Sequence, residues 1–393
     1  MGDQGPTLHR RIALASCFGM RVAILSLTIF AAVLAGVIPA CAEIAPETRA
    51  RIDEIASGPV LQGEVPGLIV GVIQGNDRMV RGFGEAVAGT GIRPNAATVW
   101  DIGSITKTFT AMLLAIYAQR GVVRYGDPLQ KYVPEWVAVP SYEGRPIELI
   151  DLATHTSGLP KAPDLEGRRH LSVEEMYRIT SRYRLTRAPG ETFEYSNWGF
   201  ALLAQALVRA TGQNYEQLVE REICAPLGMA DTRIELTQDE TARKAQGYGR
   251  DGRPRPDDPP AWPAFYGAGA LHSTMNDMMR YLAYNMGQMN TPLDSILPDL
   301  QKHWHAGGSP DTYVGLAWQM VPMRGTDRTI IWKNGAVSGF FSYIGFVKET
   351  ATGVVVIANR KTRVGRIGAQ ILRMLNGANV IEPHPAEGEE PEE

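Results

Sequence analysis

A serine and a lysine separated by two residues, Ser104 and Lys107, are the pair in this 393-residue chain that most directly indicates chemistry. A serine hydroxyl is a weak nucleophile at neutral pH and needs a neighbouring base to take its proton. Residues three apart on a helix share a face, so Lys107 is able to reach Ser104. Gly103 permits a tight turn just before the serine, and the N–H groups of a helix start suit a developing oxyanion.

Two later motifs supply polar groups that fit the same kind of site. Tyr195 and Asn197 stand two residues apart, and side chains with this spacing point the same way on an extended segment. Far downstream, Lys333, Asn334 and Gly335 follow a strand-like run. A lysine there provides a cation, and a glycine lets a substrate backbone approach closely. Taken singly, the tyrosine fits a core and the lysine a solvated surface, but the three motifs together favour one shared site.

These three motifs, in this order, resemble the signature of serine β-lactamases and penicillin-binding proteins. The Tyr-x-Asn form of the middle motif is similar to the class C branch, and the resemblance extends over residues 67–360. Within the superfamily, the chain is most similar to periplasmic penicillin-binding proteins that act as DD-carboxypeptidases and DD-endopeptidases. Asn334 departs from the pattern, which more often has threonine there, and this departure concerns substrate preference more than catalysis.

The resemblance implies catalysis through an acyl-serine intermediate. Ser104 would attack an amide or lactam carbonyl, while Lys107 and Tyr195 share the general-base work. The oxyanion would lie between the backbone N–H groups of Ser104 and Ala336. We expect cationic neighbours to lower the pKa of the Tyr195 phenol and burial to lower the pKa of Lys107.

The same resemblance implies a set of substrate-binding residues. Lys333 would hold a substrate carboxylate and Asn197 an amide group, and the set is completed by Asn334, Gly335 and Ala336. The implied partners are peptidoglycan peptides and the β-lactams that mimic their D-Ala-D-Ala end, with neither a metal nor an organic cofactor. A class C-type β-lactamase, an esterase or D-amino-peptide hydrolase, and a non-catalytic penicillin-sensing protein remain alternatives, because motifs do not show how fast water removes the acyl group.

Composition is ordinary for a globular protein, with 44% hydrophobic and 21% charged residues. The formal net charge of -3 gives no reason to expect nucleic-acid binding. Residues 381–393 are rich in glutamate and predict a disordered acidic tail.

The N-terminus predicts export. Residues 22–36 carry no charge, follow Arg21, and lead into an A-x-A pattern that ends at Ala42. This run is shorter than the ~20 residues of a membrane-spanning helix. We therefore predict a signal peptide at 1–42, cleavage after Ala42 and a periplasmic enzyme, with peripheral membrane association left open. A start at Met20, an uncleaved anchor and lipidation of Cys41 are the alternatives.

The order of strand-like and helix-like segments predicts an α/β protein. Strand-like runs lie near both ends, at 67–73, 79–84, 314–321, 329–332, 341–347 and 353–358. Helical patterns fill most of the middle, at 108–118, 172–181, 198–210, 215–223 and 275–286, and one more follows at 364–375. We expect an antiparallel five-stranded sheet flanked by helices. An α/β domain at 43–107 and 301–380 would surround a mostly helical domain at 108–300, with the site in the cleft between them.

Three histidines and one cysteine suggest functional roles that the sequence does not favour. His155 has no G-x-S-x-G elbow to serve, so a structural role in a loop hydrogen-bond network is the better prediction. His303 and His305 lack a nearby carboxylate cluster and are weak metal ligands. Cys224 fits a small buried hydrophobe better than a reactive thiol.

Overall fold

The computed structural model describes Met1 and residues 44–164, 171–255 and 263–378. The predicted signal peptide and its cleavage site, and the acidic tail at 381–393, lie outside these residues. Within the described residues, no helix is both long and apolar enough to cross a bilayer.

The described residues form twelve strands and twelve α-helices. The strands are β1 (Gly67–Gln74), β2 (Asp77–Gly84), β3 (Val99–Asp101), β4 (Ser141–Tyr142), β5 (Arg145–Pro146), β6 (His272–Thr274), β7 (His305–Ala306), β8 (Tyr313–Val314), β9 (Gln319–Pro322), β10 (Thr329–Val337), β11 (Phe340–Val347) and β12 (Thr352–Ala358). The helices are α1 (Pro46–Leu61), α2 (Thr106–Gln119), α3 (Leu149–Ala153), α4 (Val173–Arg182), α5 (Asn197–Thr211), α6 (Tyr215–Val219), α7 (Ala225–Leu227), α8 (Gln238–Ala242), α9 (Tyr266–Gly269), α10 (Met275–Asn285), α11 (Leu297–Leu300) and α12 (Val364–Leu375).

The central sheet joins the two ends of the chain. Its strand order is β2-β1-β12-β11-β10-β9-β8-β7, and the pairing is antiparallel throughout. β1 lies against β12, with Gly71 opposite Val355, so the N-terminal hairpin completes a sheet built mainly from the last part of the chain. Helices α1 and α12 pack on one face, and α10 packs on the other. Apolar side chains therefore fill both faces of β1, β11 and β12.

The sheet has the antiparallel α/β arrangement that the sequence predicts, but it contains eight strands within the described residues instead of five. The additional strands β7, β8 and β9 are short and continue the sheet beyond β10. The run at 314–321 is not one strand, because Gly315 and the left-handed backbone of Ala317 (φ +65°) separate β8 from β9. A positive φ at alanine carries no sequence signature. The proposed division into two domains stays a prediction.

Most of the predicted helices are present, and their ends have recognisable causes. α12 has the predicted bounds, with Ile367, Ile371 and Leu372 on its buried face. Ser172 caps α4 through a reciprocal pair of hydrogen bonds with Glu175. The helix predicted at 215–223 divides into α6 and a π-helical turn at Glu220–Cys224. Helix α1 and the small β3–β6 ladder were not predicted.

Candidate active site

Ser104 lies in a tight turn that the sheet holds in place. The 3-10 turn Gly103–Ile105 leads directly into α2 and packs on β10. Gly103 has φ +50°, and a Cβ there would lie 2.8 Å from the backbone N of Ala336. Both the left-handed backbone and the lack of space require glycine. The N–H of Ser104 belongs to the first turn, where N–H groups have no partner within the helix.

Gly335 permits the matching approach from the sheet side. A Cβ at Gly335 would come within 2.2 Å of the Ile102 carbonyl oxygen and 2.8 Å of the Ser104 N. Ser342 on the next strand donates a hydrogen bond from Oγ to the same Ile102 carbonyl at 2.8 Å. The turn that carries Ser104 is therefore held against two strands. The sequence singled out Gly335 but gave no signal for Ser342.

Lys107 reaches the serine as its spacing predicts. Its Nζ lies 2.9 Å from Ser104 Oγ and donates to the Ala268 carbonyl at 2.5 Å. The side chain is fully buried. Burial, aided by the nearby cations Lys333 and Lys161, lowers the pKa of Lys107 well below its usual range. A neutral amine at this position is able to accept the Ser104 proton.

Tyr195 completes the contacts of the serine hydroxyl. Its phenol donates to Ser104 Oγ at 2.7 Å. The centre of its ring lies 5.0 Å from Lys107 Nζ and 4.7 Å from Lys333 Nζ. The expectation that cationic neighbours lower its pKa is wrong for this structure, because burial raises that pKa and the hydrogen bond with Ser104 only opposes the rise. The phenol is therefore a neutral hydrogen-bond donor here, and the neutral amine of Lys107 is the group in a state to accept a proton.

Lys333 is a buried lysine without an acidic partner among the described residues. It lies on β10 with no exposed surface, and burial lowers its pKa to about 7. Among the described residues, no carboxylate forms an ion pair with its Nζ, and burial alone accounts for the lowered pKa. A buried ammonium is costly unless it is paired, so this position favours a ligand that brings a negative charge.

Asn197 stands at the start of α5, two residues after Tyr195. Ser196 caps this helix by accepting from Gly199 N at 2.8 Å. The backbone N–H of Asn197 donates to the Lys161 carbonyl at 2.8 Å. These bonds fix the loop that carries Tyr195, and the role of the Asn197 side chain in binding an amide stays a prediction.

Asn334 and Ala336 alternate with Lys333 and Gly335 along β10. Asn334 pairs with Tyr343, and strand alternation places both on the sheet face that carries α12. The Asn334 side chain is 7% exposed. The backbone of Ala336 lies beside the Gly103 turn. The role of its N–H in an oxyanion site and substrate contact by Asn334 both stay predictions.

An ion cluster beside the turn was not predicted. Asp101, three residues before the serine, has Oδ1 3.1 Å from His272 Nε2 and 3.3 Å from Lys244 Nζ. Burial opposes its ionisation, but the hydrogen bond and charge of His272 and the charge of Lys244 hold its pKa below the usual range. The cluster ties β3 to β6 directly ahead of Ser104. Its three members are far apart in the sequence and form no motif.

The other histidines and the cysteine have structural contacts in the described residues. The ring of His303 stacks on Tyr313 at 4.2 Å, and His305 contacts backbone carbonyls, Gly190 among them. Within the described residues, no group of three or more histidine, cysteine, aspartate or glutamate side chains is arranged to hold a metal ion. Cys224 is buried, and burial raises the pKa of its thiol.

A serine hydroxyl placed between an amine and a phenol, in the turn that leads into a helix, defines a serine hydrolase. The family model described as Beta-lactamase matches residues 47–376, and the chain belongs to this family.

Two sequence relatives support the same assignment. The chain is 35% identical over 312 residues to D-alanyl-D-alanine-carboxypeptidase/endopeptidase AmpH of Escherichia coli (strain K12), which covers 75% of this chain and 79% of that protein. It is 28% identical to a beta-lactamase of the same strain, over 76% of this chain and 85% of that protein.

Solved structures share the fold. A beta-lactamase/D-alanine carboxypeptidase from Yersinia pestis, complexed with citrate, matches with a TM-score of 0.71 and 28% identity, covering 83% of this chain and 96% of that chain. A class C beta lactamase from Rhodobacter sphaeroides matches in fold with a TM-score of 0.73 and 24% identity, covering 84% of this chain and 100% of that chain.

The buried state of Lys333 predicts how stability depends on pH. Its pKa is about 7 in the folded protein and ~10.4 in an unfolded chain. Between these values the unfolded state binds more protons, so the free energy of unfolding should rise with pH, by at most about 1.4 kcal/mol per pH unit. Urea unfolding between pH ~7 and ~9 should show a shallower rise for Lys333→Met than for the wild type.

The exposed Lys348 provides the control for this measurement. Lys348→Met should keep the wild-type pH dependence. An unchanged slope in Lys333→Met would contradict the burial of an unpaired lysine in the folded protein.

Proposed function

We propose that this serine hydrolase is an exported D-alanyl-D-alanine carboxypeptidase/endopeptidase that forms an acyl-enzyme on Ser104. The observation that carries the proposal is the double contact of one hydroxyl, with Lys107 Nζ at 2.9 Å and the Tyr195 phenol at 2.7 Å. The name of the AmpH relative supports the choice of reaction.

The proposed reaction begins with proton transfer from Ser104 Oγ to the neutral amine of Lys107. The Oγ–carbon bond forms, and the oxyanion is held by the N–H groups of Ser104 and Ala336. The carbon–nitrogen bond then breaks, and the amine of the leaving D-amino acid takes a proton from the Tyr195 phenol. The ammonium of Lys107 then returns a proton to Tyr195. Water attacks the ester and releases the peptide by the reverse proton path.

The proposed substrate carries a carboxylate next to the scissile bond. The support for this is Lys333, a buried lysine that no acidic group neutralises within the described residues and that lies 4.7 Å from the Tyr195 ring centre. A terminal D-alanine provides such a carboxylate, and so does a penicillin. Pairing with this group would replace the hydration that Lys333 has lost.

A class C-type β-lactamase is the second candidate. It is favoured by the 28% identical beta-lactamase relative and by the same cationic position for a carboxylate. The purified mature protein should be incubated in parallel with a disaccharide pentapeptide, a cross-linked muropeptide and nitrocefin. Peptide turnover with slow nitrocefin turnover supports the peptidase. Rapid nitrocefin turnover alone supports the β-lactamase, and a stable penicillin adduct with no turnover supports a sensor.

Acylation tests the roles of the three groups around the hydroxyl. Intact-protein mass spectrometry after penicillin treatment should show one adduct, which is absent in Ser104→Ala. Lys107→Ala and Tyr195→Phe should each slow acylation by roughly 10²–10⁴-fold, the usual size of a general-base effect. Acylation in the double variant should be little slower than in either single variant, because the two groups act on one proton.

The adduct also locates the nucleophile. An adduct that persists in Ser104→Ala would place it on another residue. Wild-type acylation in Tyr195→Phe would leave the phenol with a packing role only.

Charged and uncharged substrates distinguish recognition from proton transfer at Lys333. A charge-assisted contact contributes roughly 1.5–3 kcal/mol, or about 10- to 150-fold. Lys333→Ala should therefore reduce kcat/KM for a D-Ala-D-Ala peptide by about that factor and reduce hydrolysis of p-nitrophenyl butyrate much less. Lys348→Ala should change neither kcat/KM for the peptide nor the hydrolysis of the ester. Equal losses on both substrates would show that Lys333 serves the chemistry and not the carboxylate.

Export is also part of the proposal, supported by the sequence pattern that ends at Ala42. N-terminal sequencing of protein from the periplasmic fraction should begin at Glu43. Full-length protein confined to the cytosol would contradict export, and a lipid on Cys41 would replace release with membrane anchoring.

A further inference from the structure

His155 binds the backbone on both sides of Tyr195. Its carbonyl accepts from Glu194 N at 2.7 Å. Its ring Nδ1 accepts from Ser196 N at 3.0 Å. One residue therefore holds the two peptide N–H groups that flank the catalytic phenol. This confirms the sequence-based expectation of a histidine in a loop hydrogen-bond network and shows which loop it holds.

The imidazole ring also packs against the phenol itself. The ring of His155 is 1% exposed, and its centre lies 4.5 Å from that of Tyr195, with the planes 33° apart. Phe200 at 4.8 Å and Phe193 at 5.6 Å enclose the ring further. The backbone of His155 has φ +60°, a left-handed conformation that is uncommon outside glycine. Such a conformation persists where its surroundings require it, often at functional sites.

The hydrogen bond to Nδ1 determines the protonation state of the ring. A nitrogen that accepts from Ser196 N carries no proton, so the neutral ring has its proton on Nε2. Protonation of Nδ1 would place its N–H opposite the N–H of Ser196, so that two donors would face each other without an acceptor. Burial, together with the cations Lys333 and Lys107, lowers the pKa of His155 well below its usual range. Nε2 is buried and has no hydrogen-bond partner among the described residues.

We propose that His155 is a positioning residue for Tyr195, and that its neutral, Nε2-protonated ring holds the phenol at hydrogen-bond distance from Ser104 Oγ. The inference rests on the proposed acylation of Ser104. The role differs from that of a catalytic base, because no hydrogen bond joins His155 to Ser104 and its contacts are with the Tyr195 loop and ring.

Two substitutions separate the acceptor from the ring. His155→Asn places an amide oxygen near the position of Nδ1 and suits a left-handed backbone. His155→Phe keeps an aromatic ring and leaves Ser196 N without its acceptor. Stopped-flow acylation by a fluorescent penicillin should be slowed about 10²-fold in His155→Phe, as expected for a misplaced catalytic group. His155→Asn should recover most of the wild-type rate.

Coupling to Tyr195 distinguishes positioning from a general loss of stability. In a Tyr195→Phe background, His155→Phe should reduce the acylation rate little further, because the phenol that His155 positions is already absent. Tyr284→Phe, which removes a buried hydrogen bond to the Leu293 carbonyl, is the control, and it should lower stability without slowing acylation. If His155→Phe does not fold, His155→Gln serves in its place, because its longer side chain displaces the acceptor.

Nuclear magnetic resonance of ¹⁵N-histidine-labelled protein reads the tautomer directly. The resonance that disappears in His155→Asn should report a proton on Nε2 and none on Nδ1 at pH ~6, below the ordinary histidine pKa. A doubly protonated ring would overturn the inference, and so would a wild-type acylation rate in His155→Phe. The inference would also fail if His155→Phe slowed acylation in the Tyr195→Phe background as much as it does in the wild type. Failure of the wild type to form any adduct would instead overturn the proposed function, and the tautomer would still be tested by resonance.

Discussion

The burial of two lysines around one phenol is the constraint on which this site depends. Lys107 and Lys333 have no exposed surface, and both approach the ring of Tyr195. Removing an ammonium from water is costly, so the pKa of each lysine falls. The apolar cores on both faces of the sheet must offset this cost. In return, the site contains an amine that is able to take a proton at neutral pH.

Positioning this amine and phenol on one hydroxyl requires segments from distant parts of the chain. The turn at Gly103–Ile105 packs on β10, which is contributed from near the C-terminal end of the described residues. Gly103 and Gly335 let the two backbones approach, and Ser342 fixes the turn by a hydrogen bond. The opposite wall is the Tyr195 loop at the start of α5. The hydroxyl is therefore held from the sheet side and from the helical side at once.

Sequence reasoning succeeded where chemistry is encoded locally. The pair Ser104 and Lys107 is visible because helical spacing alone brings the side chains together, and α12 is visible from its apolar period. The contact of Ser342 with the turn and the pairing of Asp101 with His272 were not visible, because they join residues far apart in the chain. The sign of the Tyr195 pKa shift was wrong for a related reason. It depends on how much solvent the folded site excludes, and no motif encodes that.

The pKa values of Lys333 and Tyr195 separate substrate recognition from proton transfer. Without an anion, Lys333 has a pKa of about 7 and is only partly charged at neutral pH. A substrate carboxylate beside its Nζ would favour the ammonium form and raise this pKa. The carboxylate would also bring its own negative charge, which offsets the positive charge of Lys333 at the phenol. Burial would therefore still hold the pKa of Tyr195 above its usual range, and the neutral amine of Lys107 would remain the group that takes the Ser104 proton. An uncharged ester cannot pair with Lys333, so the carboxylate would act as a handle for binding, while the proton path stays with Lys107 and Tyr195.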